Sequence, residues 1–166
     1  HSTCIHGSKV AHSIGLGGTA KDMHLDNAEL QRITGTEGLQ IGQDRGEFFQ
    51  DGQAHGQWKR PLMIAGVTSA ATNSVSGILT LTAATDDSQI VFDDVGTGSI
   101  FNALAAQADN GVTVKADLKT DMGVLYLDGD SENSSTQDGL NALGFTDGQS
   151  VTAKSVLTLK AAGGQD

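Results

Sequence analysis

The chain carries one cysteine, one proline, one tryptophan and one tyrosine among its 166 residues. Each scarcity excludes something. With Cys4 alone, no intrachain disulfide can form, so stability must come from packing and backbone hydrogen bonds. Aromatic residues make up only 4%, less than the bulk with which compact enzyme cores are filled. Basic residues number 10 against 20 acidic ones, a formal charge of −10 with no Lys/Arg cluster, which speaks against a nucleic-acid partner because phosphate contact needs a basic patch. No apolar run approaches the roughly 20 residues that span a bilayer as a helix. No secretory signal is present either, and the chain begins at His1 rather than Met, which reads as a processed chain or an excised fragment.

What is abundant is glycine, 22 residues, together with short alternating apolar stretches. Glycine is enriched where a chain turns often, since it enters positive φ without steric cost. Residues 78–130 organise the rest. Set in rows of eleven, Leu79, Ile90, Phe101, Val112 and Gly123 fall in one column, and Leu81, Phe92, Ala103, Val114 and Leu125 in the next. Within a row the apolar positions alternate, as in Leu79-x-Leu81 and Val112-x-Val114, which is strand periodicity. Turn formers separate the rows: Asp86-Asp87-Ser88, Gly96-Thr97-Gly98 and Asp109-Asn110-Gly111. A strand and a turn repeated at fixed spacing predict an all-β parallel β-helix, or β-solenoid, of units of about eleven residues. Two or three units per coil fit the spacing equally. The stretch FNALAA, residues 101–106, has helical propensity, but its columns place it in strand register.

The spacing recurs nearer the N-terminus, where Leu25 lies eleven after Ile14 and Ile41 eleven after Leu30. Asp26-Asn27-Ala28-Glu29-Leu30 has the makings of one capped helical turn, with Ile33 packing inward. Gly15-x-Gly17-Gly18 invites a dinucleotide-loop reading, but its third glycine is misplaced and no amphipathic helix follows, so a turn is the stronger reading. The block SIGLGGTAKDMHLDNAELQRITGTEGLQIG resembles a repeat of very large secreted proteins of the filamentous-haemagglutinin type. Their skeleton I-G-L-G, A-E-L-x-R-I-T and G-L-x-I-G falls on residues 14–17, 28–34 and 38–42. The later ADNGVTVKADLKTDMGVLYLDGD is similar to the coils that follow in that family. The resemblance implies a right-handed β-helix, a scaffolding or adhesive role, an extracellular or cell-surface location and no catalytic residues.

The expected organisation is a flexible segment over residues 1–12, then one solenoid domain over 13–164 interrupted by an insertion at 43–60. The insertion holds Phe48, Phe49, the only Trp, Trp58, and the pair Lys59-Arg60. Insertions in solenoids map to loops on one face, so these residues are candidate contacts for a partner protein or a glycan; the alternative is a loop folded over the flank with Trp58 and Phe48 as a local core. Pro61 would end the insertion and start the strand Leu62-Met63-Ile64, and residues 66–77 read as a turn-rich corner or weak strand. Asp128, Asp130 and Glu132 lie in a Gly-containing acidic loop that suits calcium, with a solvated loop as the alternative; no other cofactor is implied. Asn133-Ser134-Ser135 is a glycosylation sequon. His1, Cys4, His6 and His12 could ligate copper or zinc, though their spacing matches no strong motif. Toward the C-terminus, Leu157-Thr158-Leu159-Lys160-Ala161-Ala162 echoes Leu79-Thr80-Leu81-Thr82-Ala83-Ala84, and Gly144-x-Thr146 echoes Gly66-x-Thr68 at the same offset, so a longer repeat is superposed on the shorter one.

Three functions compete. The leading one is a structural or adhesive solenoid segment, acting as scaffold, stalk or filament subunit, able to associate with itself through its open ends. A second is an accessory subunit that binds a larger complex through its ends or the 43–60 insertion. A third is a carbohydrate-binding or polysaccharide-cleaving β-helix, for which Asp86-Asp87 and Asp93-Asp94 are the candidate carboxylate pairs, expected on neighbouring turns.

Overall fold

A computed structural model of the chain describes residues 3–8, 12–43, 61–85, 87–131 and 140–161. These residues are mostly β, and every pairing between strands is parallel. In chain order the elements are β1 (Thr3–Ile5), β2 (Ile14–Gly17), β3 (Met23–Leu25), α1 (Asn27–Leu30), β4 (Leu39–Gln43), β5 (Leu62–Ala65), α2 (Ser69–Thr72), β6 (Leu79–Ala83), β7 (Ile90–Phe92), β8 (Ser99–Phe101), β9 (Leu104–Ala108), β10 (Val112–Val114), β11 (Leu118–Thr120), β12 (Leu125–Asp128), β13 (Leu143–Phe145), β14 (Val151–Thr152) and β15 (Leu157–Lys160).

Three sheets result. Sheet I runs β1-β4-β6-β9-β12-β15, sheet II runs β3-β2-β5-β7-β10-β13, and sheet III runs β8-β11-β14. The chain visits them in a fixed order. From β7 onward each pass contributes one strand to sheet II, one to sheet III and one to sheet I, then begins again. In the two preceding passes a helical turn stands between the sheet II and sheet I strands. Residues next to α1 and α2 are bridged in parallel, Gly35 to Val75, and the Asn102 amide and side chain donate to Thr72 Oγ1 and to the Thr72 carbonyl oxygen, at 3.1 and 3.2 Å. Residues 66–77, read from sequence as a corner or weak strand, thus hold α2, whose Ala71 and Thr72 are buried.

The core follows from strand alternation. In sheet I, Leu39, Leu79, Leu104 and Leu125 are successive ladder partners, as are Ile41, Leu81, Ala106 and Leu127, and all are buried. Sheet II does the same with Ile14, Leu62, Ile90 and Val112, and with Leu16, Ile64, Phe92 and Val114. These side chains form one hydrophobic cluster. Across it the Phe92 and Phe101 rings meet edge to face, 6.4 Å between centroids at 82°, a pairing worth about 0.5–1.5 kcal/mol beyond burial itself.

The eleven-residue column is corrected by this register. Leu79, Ile90, Phe101 and Val112 are not four stacked neighbours; they lie in β6, β7, β8 and β10, in three sheets. Only Ile90 and Val112 pair, whereas Leu79 pairs with Leu104 and Phe101 with Thr120. The spacing marked positions that face inward, a property that strands in different sheets share, rather than positions that stack. Gly123, which broke the column, belongs to no strand; a Cβ there would crowd that of Ala103. FNALAA is strand on both sides of a break at Asn102-Ala103. Of the longer echo, the leucine part corresponds to a true column, Leu79 and Leu157 sitting at the same register of sheet I through Leu104 and Leu125, whereas Gly144 lies in the column of Met63 rather than that of Gly66.

At the N-terminal end, β1 falls in the segment expected to be flexible and pairs with β4, Thr3 to Leu39 and Ile5 to Ile41. The expected capped turn is α1. The Asp26 carboxylate accepts from the Glu29 amide at 2.8 Å and the Glu29 carboxylate accepts from the Asp26 amide at 3.0 Å, a capping box that buries Leu30 and brings Ile33 against the core. The glycines of the weak nucleotide motif serve the turn from β2 to β3. Gly17 has φ +72°, the Gly18 amide donates to the Ala65 carbonyl at 2.6 Å, and a Cβ on Gly15 would overlap the Thr19 carbonyl oxygen.

Candidate functional site

Two places stand out: the buried carboxylate of Asp128 at the end of β12, and the exposed apolar side chains of the last pass, β13 to β15. Asp128 closes β12 with its side chain 2% exposed. A buried carboxylate must be compensated. Here Tyr126 Oη donates to Oδ2 at 2.7 Å, Lys160 Nζ donates to the same oxygen at 3.1 Å, and Oδ1 accepts from the Asp130 amide at 3.2 Å. Tyr126 and Asp128 come from one strand; Lys160 comes from the next strand of the ladder, as the register partner of Asp128. The Tyr126 hydroxyl is pushed up to about 12, first by burial and then by its bond to the Asp128 carboxylate, since ionising it would place two negative charges side by side. The trio ties the last pass to the one before it.

For the acidic-loop expectation, Asp128 and Asp130 are thus both buried, Asp128 is engaged by a lysine and a phenol, and Glu132 and Asn133 lie outside the described residues. Asp130 Oδ1 is buried without a hydrogen-bond partner. Among the described residues no group of three His, Cys, Asp or Glu is arranged to hold a metal ion. Phe48, Phe49, Trp58, Lys59 and Arg60 also lie outside the described residues, as does His1. Cys4 is exposed on β1, and His6 Nδ1 lies 3.1 Å from the Gly7 carbonyl oxygen.

The carboxylate pairs expected on neighbouring turns instead flank a single strand, β7, with Asp87 before it and Asp93-Asp94 after it; Asp86 lies outside the described residues. Each described member has local work. The Asp87 amide, at φ +63°, donates to Asp109 Oδ2 at 2.8 Å. Asp94 Oδ1 accepts from the Gly96 amide at 2.6 Å as a turn former, and Asp93 lies 3.5 Å from Lys115 in a surface pair.

The last pass lies at one of the ends that the sequence reading offered for self-association. Leu157 and Leu159 are 42% and 48% exposed, and Phe145 is 46% exposed, although their ladder partners Leu125, Leu127 and Val114 are all 0% exposed. Val156 and Leu140 are exposed beside them. The signal lay in the echo of Leu79-x-Leu81 at Leu157-x-Leu159, which marks inward-facing positions. Among the described residues no strand follows to cover them. No helix of the described residues is long and apolar enough to cross a membrane. The chain matches no family model, no curated protein and no solved structure.

Proposed function

We propose that the chain is a structural or adhesive segment of a secreted or cell-surface protein, folded as a right-handed β-solenoid of three-sided coils and serving as scaffold, stalk or filament subunit. The observation that carries this reading is the register: the same apolar position recurs from pass to pass in parallel ladders, as in Leu39, Leu79, Leu104, Leu125 and Leu157. Such a stack gains stability by adding one ladder and one slice of core per pass, and its length is set by the number of passes, which is what a spacer or stalk requires. The net charge of −10 favours solubility of a long, repetitive body. The resemblance of residues 14–42 to repeats of filamentous-haemagglutinin-type proteins points the same way. Electron microscopy of the native material, with the mass of the intact particle, tests the proposal. Elongated or filamentous particles are expected; compact particles with no long axis would contradict it.

A further inference from the structure

We propose that the corner between sheets I and II binds a calcium ion through Asp130 and Asn141. After β6 the chain links sheet I to sheet II three times, over residues 84–89, 109–111 and 129–142, and these links carry six acidic residues and no Lys or Arg. Backbone hydrogen bonds stack the links on one another. The Asn110 amide donates to the Ser88 carbonyl at 2.9 Å, the Gly111 amide to the Gly129 carbonyl at 3.0 Å, and the Ser131 amide to the Ala108 carbonyl at 2.9 Å. Asp130 is thereby set against Asp109 and Asn110. The two stems of the third link also meet closely: a Cβ on Gly129 would overlap the Ala142 carbonyl oxygen. That approach brings Asp130 and Asn141, each next in sequence to one of the pair, to the same corner.

The neighbouring polar groups are matched. Asp128 is held by Tyr126 and Lys160, Asp109 Oδ2 accepts from the Asp87 amide at 2.8 Å, and Asn110 Oδ1 accepts from the Leu140 amide at 2.7 Å. Two oxygens are left over. Asp130 is 2% exposed and its Oδ1 has no hydrogen-bond partner, and Asn141 Oδ1 is likewise buried and without a partner. A carboxylate oxygen sealed from water without compensation is costly, and the two oxygens cannot serve each other, since an ionised carboxylate and an amide carbonyl both only accept. A cation satisfies both. Oxygen donors of this kind suit calcium or magnesium rather than zinc or copper, and calcium tolerates the irregular, carbonyl-containing coordination that a turn supplies, where magnesium demands a near-ideal octahedron. The site takes a carboxylate and an amide rather than a cluster of His, Cys, Asp and Glu. Of the residues expected from sequence to bind calcium it keeps Asp130, with Asn141 in place of the lysine-bound Asp128.

Thermal melts of the 166-residue chain, stripped with EDTA and then titrated with calcium chloride, test this. A saturable rise in melting temperature is expected, with calorimetric titration giving one site. Asp130→Asn and Asn141→Gly should each weaken calcium at least ~10-fold. The glycine removes the side-chain oxygen while accepting the φ of +24° that Asn141 adopts. Asp147→Asn removes an exposed carboxylate elsewhere in the last pass and should leave the response intact, which separates a site from general screening of an acidic protein. In EDTA, Asp130→Asn should be no less stable than the wild type, because it removes the unmatched charge. A wild-type melt that ignores calcium and EDTA alike would overturn the site, as would a calcium response that survives both substitutions. A marked loss of stability of Asp130→Asn in EDTA would overturn it too, by showing that the protein itself already satisfies the carboxylate.

Discussion

Leu127 and Leu159 occupy one column of sheet I in adjacent strands, yet the first is sealed and the second stands half in solvent. The residue type is the same, and so are the sheet and the inward direction. The difference is the neighbour that follows: β15 lies over β12, and no described strand lies over β15. Along these ladders burial depends on whether another strand follows in the sheet, and the inner strands and the last ones should respond differently to the same change.

The largest contrast is expected at glycines. Gly42, at the end of β4, has φ +112°, and a Cβ there would overlap the Thr82 carbonyl oxygen of the adjoining strand. Gly148, in the last pass, also has positive φ, +82°, but nothing stands near its missing Cβ. Gly42→Ala should destabilise by more than ~4 kcal/mol, combining backbone strain with a clash, while Gly148→Ala should cost only the ~1–2 kcal/mol of the left-handed conformation. Urea melts of the two variants check this; equal losses would mean that the strands do not approach as described.

Next come the leucines. Leu127→Ala removes a fully buried side chain and should cost ~2–5 kcal/mol, whereas Leu159→Ala leaves no closed cavity and should cost less than ~1 kcal/mol in the monomer. The same melts provide the test, at a concentration low enough to exclude association. Smaller still is the tie between the two passes. Lys160→Ala leaves Asp128 buried with only the phenol and a backbone amide, but the lysine is itself 41% exposed, so the loss should be ~1–2 kcal/mol rather than the larger cost of a sealed pair. At the opposite end, Asp26→Ala removes one half of the capping box and should cost ~1 kcal/mol.

The smallest effect is a titration. Tyr126 is the only tyrosine, so absorbance near 295 nm reports it alone. The folded protein holds its phenolic proton more tightly than the unfolded chain does, with the hydroxyl at about 12 against an ordinary 10. Its contribution to stability is therefore complete below pH 10 and is lost as pH rises from 10 toward 12. Asp128→Asn should bring the folded midpoint down, because the carboxylate is one of the causes of the shift. An unchanged midpoint would assign the shift to burial alone.

Much of the architecture was legible because alternation and turn residues are local. Leu79-x-Leu81, Val112-x-Val114 and the cap at Asp26 could be read without knowing what lay beside them. Register was not legible, because it is set by the number of residues each pass spends between sheets. Ile90 to Val112 takes twenty-two positions, Ser99 to Leu118 nineteen and Leu79 to Leu104 twenty-five, so no single period describes the stack. A helical turn replaces a strand at residues 69–72 for the same reason: α2 closes that pass with small residues, Ser69, Ala70 and Ala71, which carry little strand preference. Of the candidate sites, the acidic pair at Asp128 and Asp130 could be named from composition, but its lysine partner could not, since Lys160 is thirty-two residues away and arrives only through the ladder.

The central claim is that register, and its most direct test is a pair of spin labels on exposed ladder partners. Lys119 of β11 and Thr152 of β14 pair across sheet III, thirty-three residues apart in sequence, and both are exposed. With Cys4 replaced by Ser, nitroxides at Lys119→Cys and Thr152→Cys should show strong exchange and dipolar broadening at room temperature, because parallel partners sit about 4.8 Å apart. A sharp spectrum equal to the sum of the two singly labelled proteins would contradict the stacked passes.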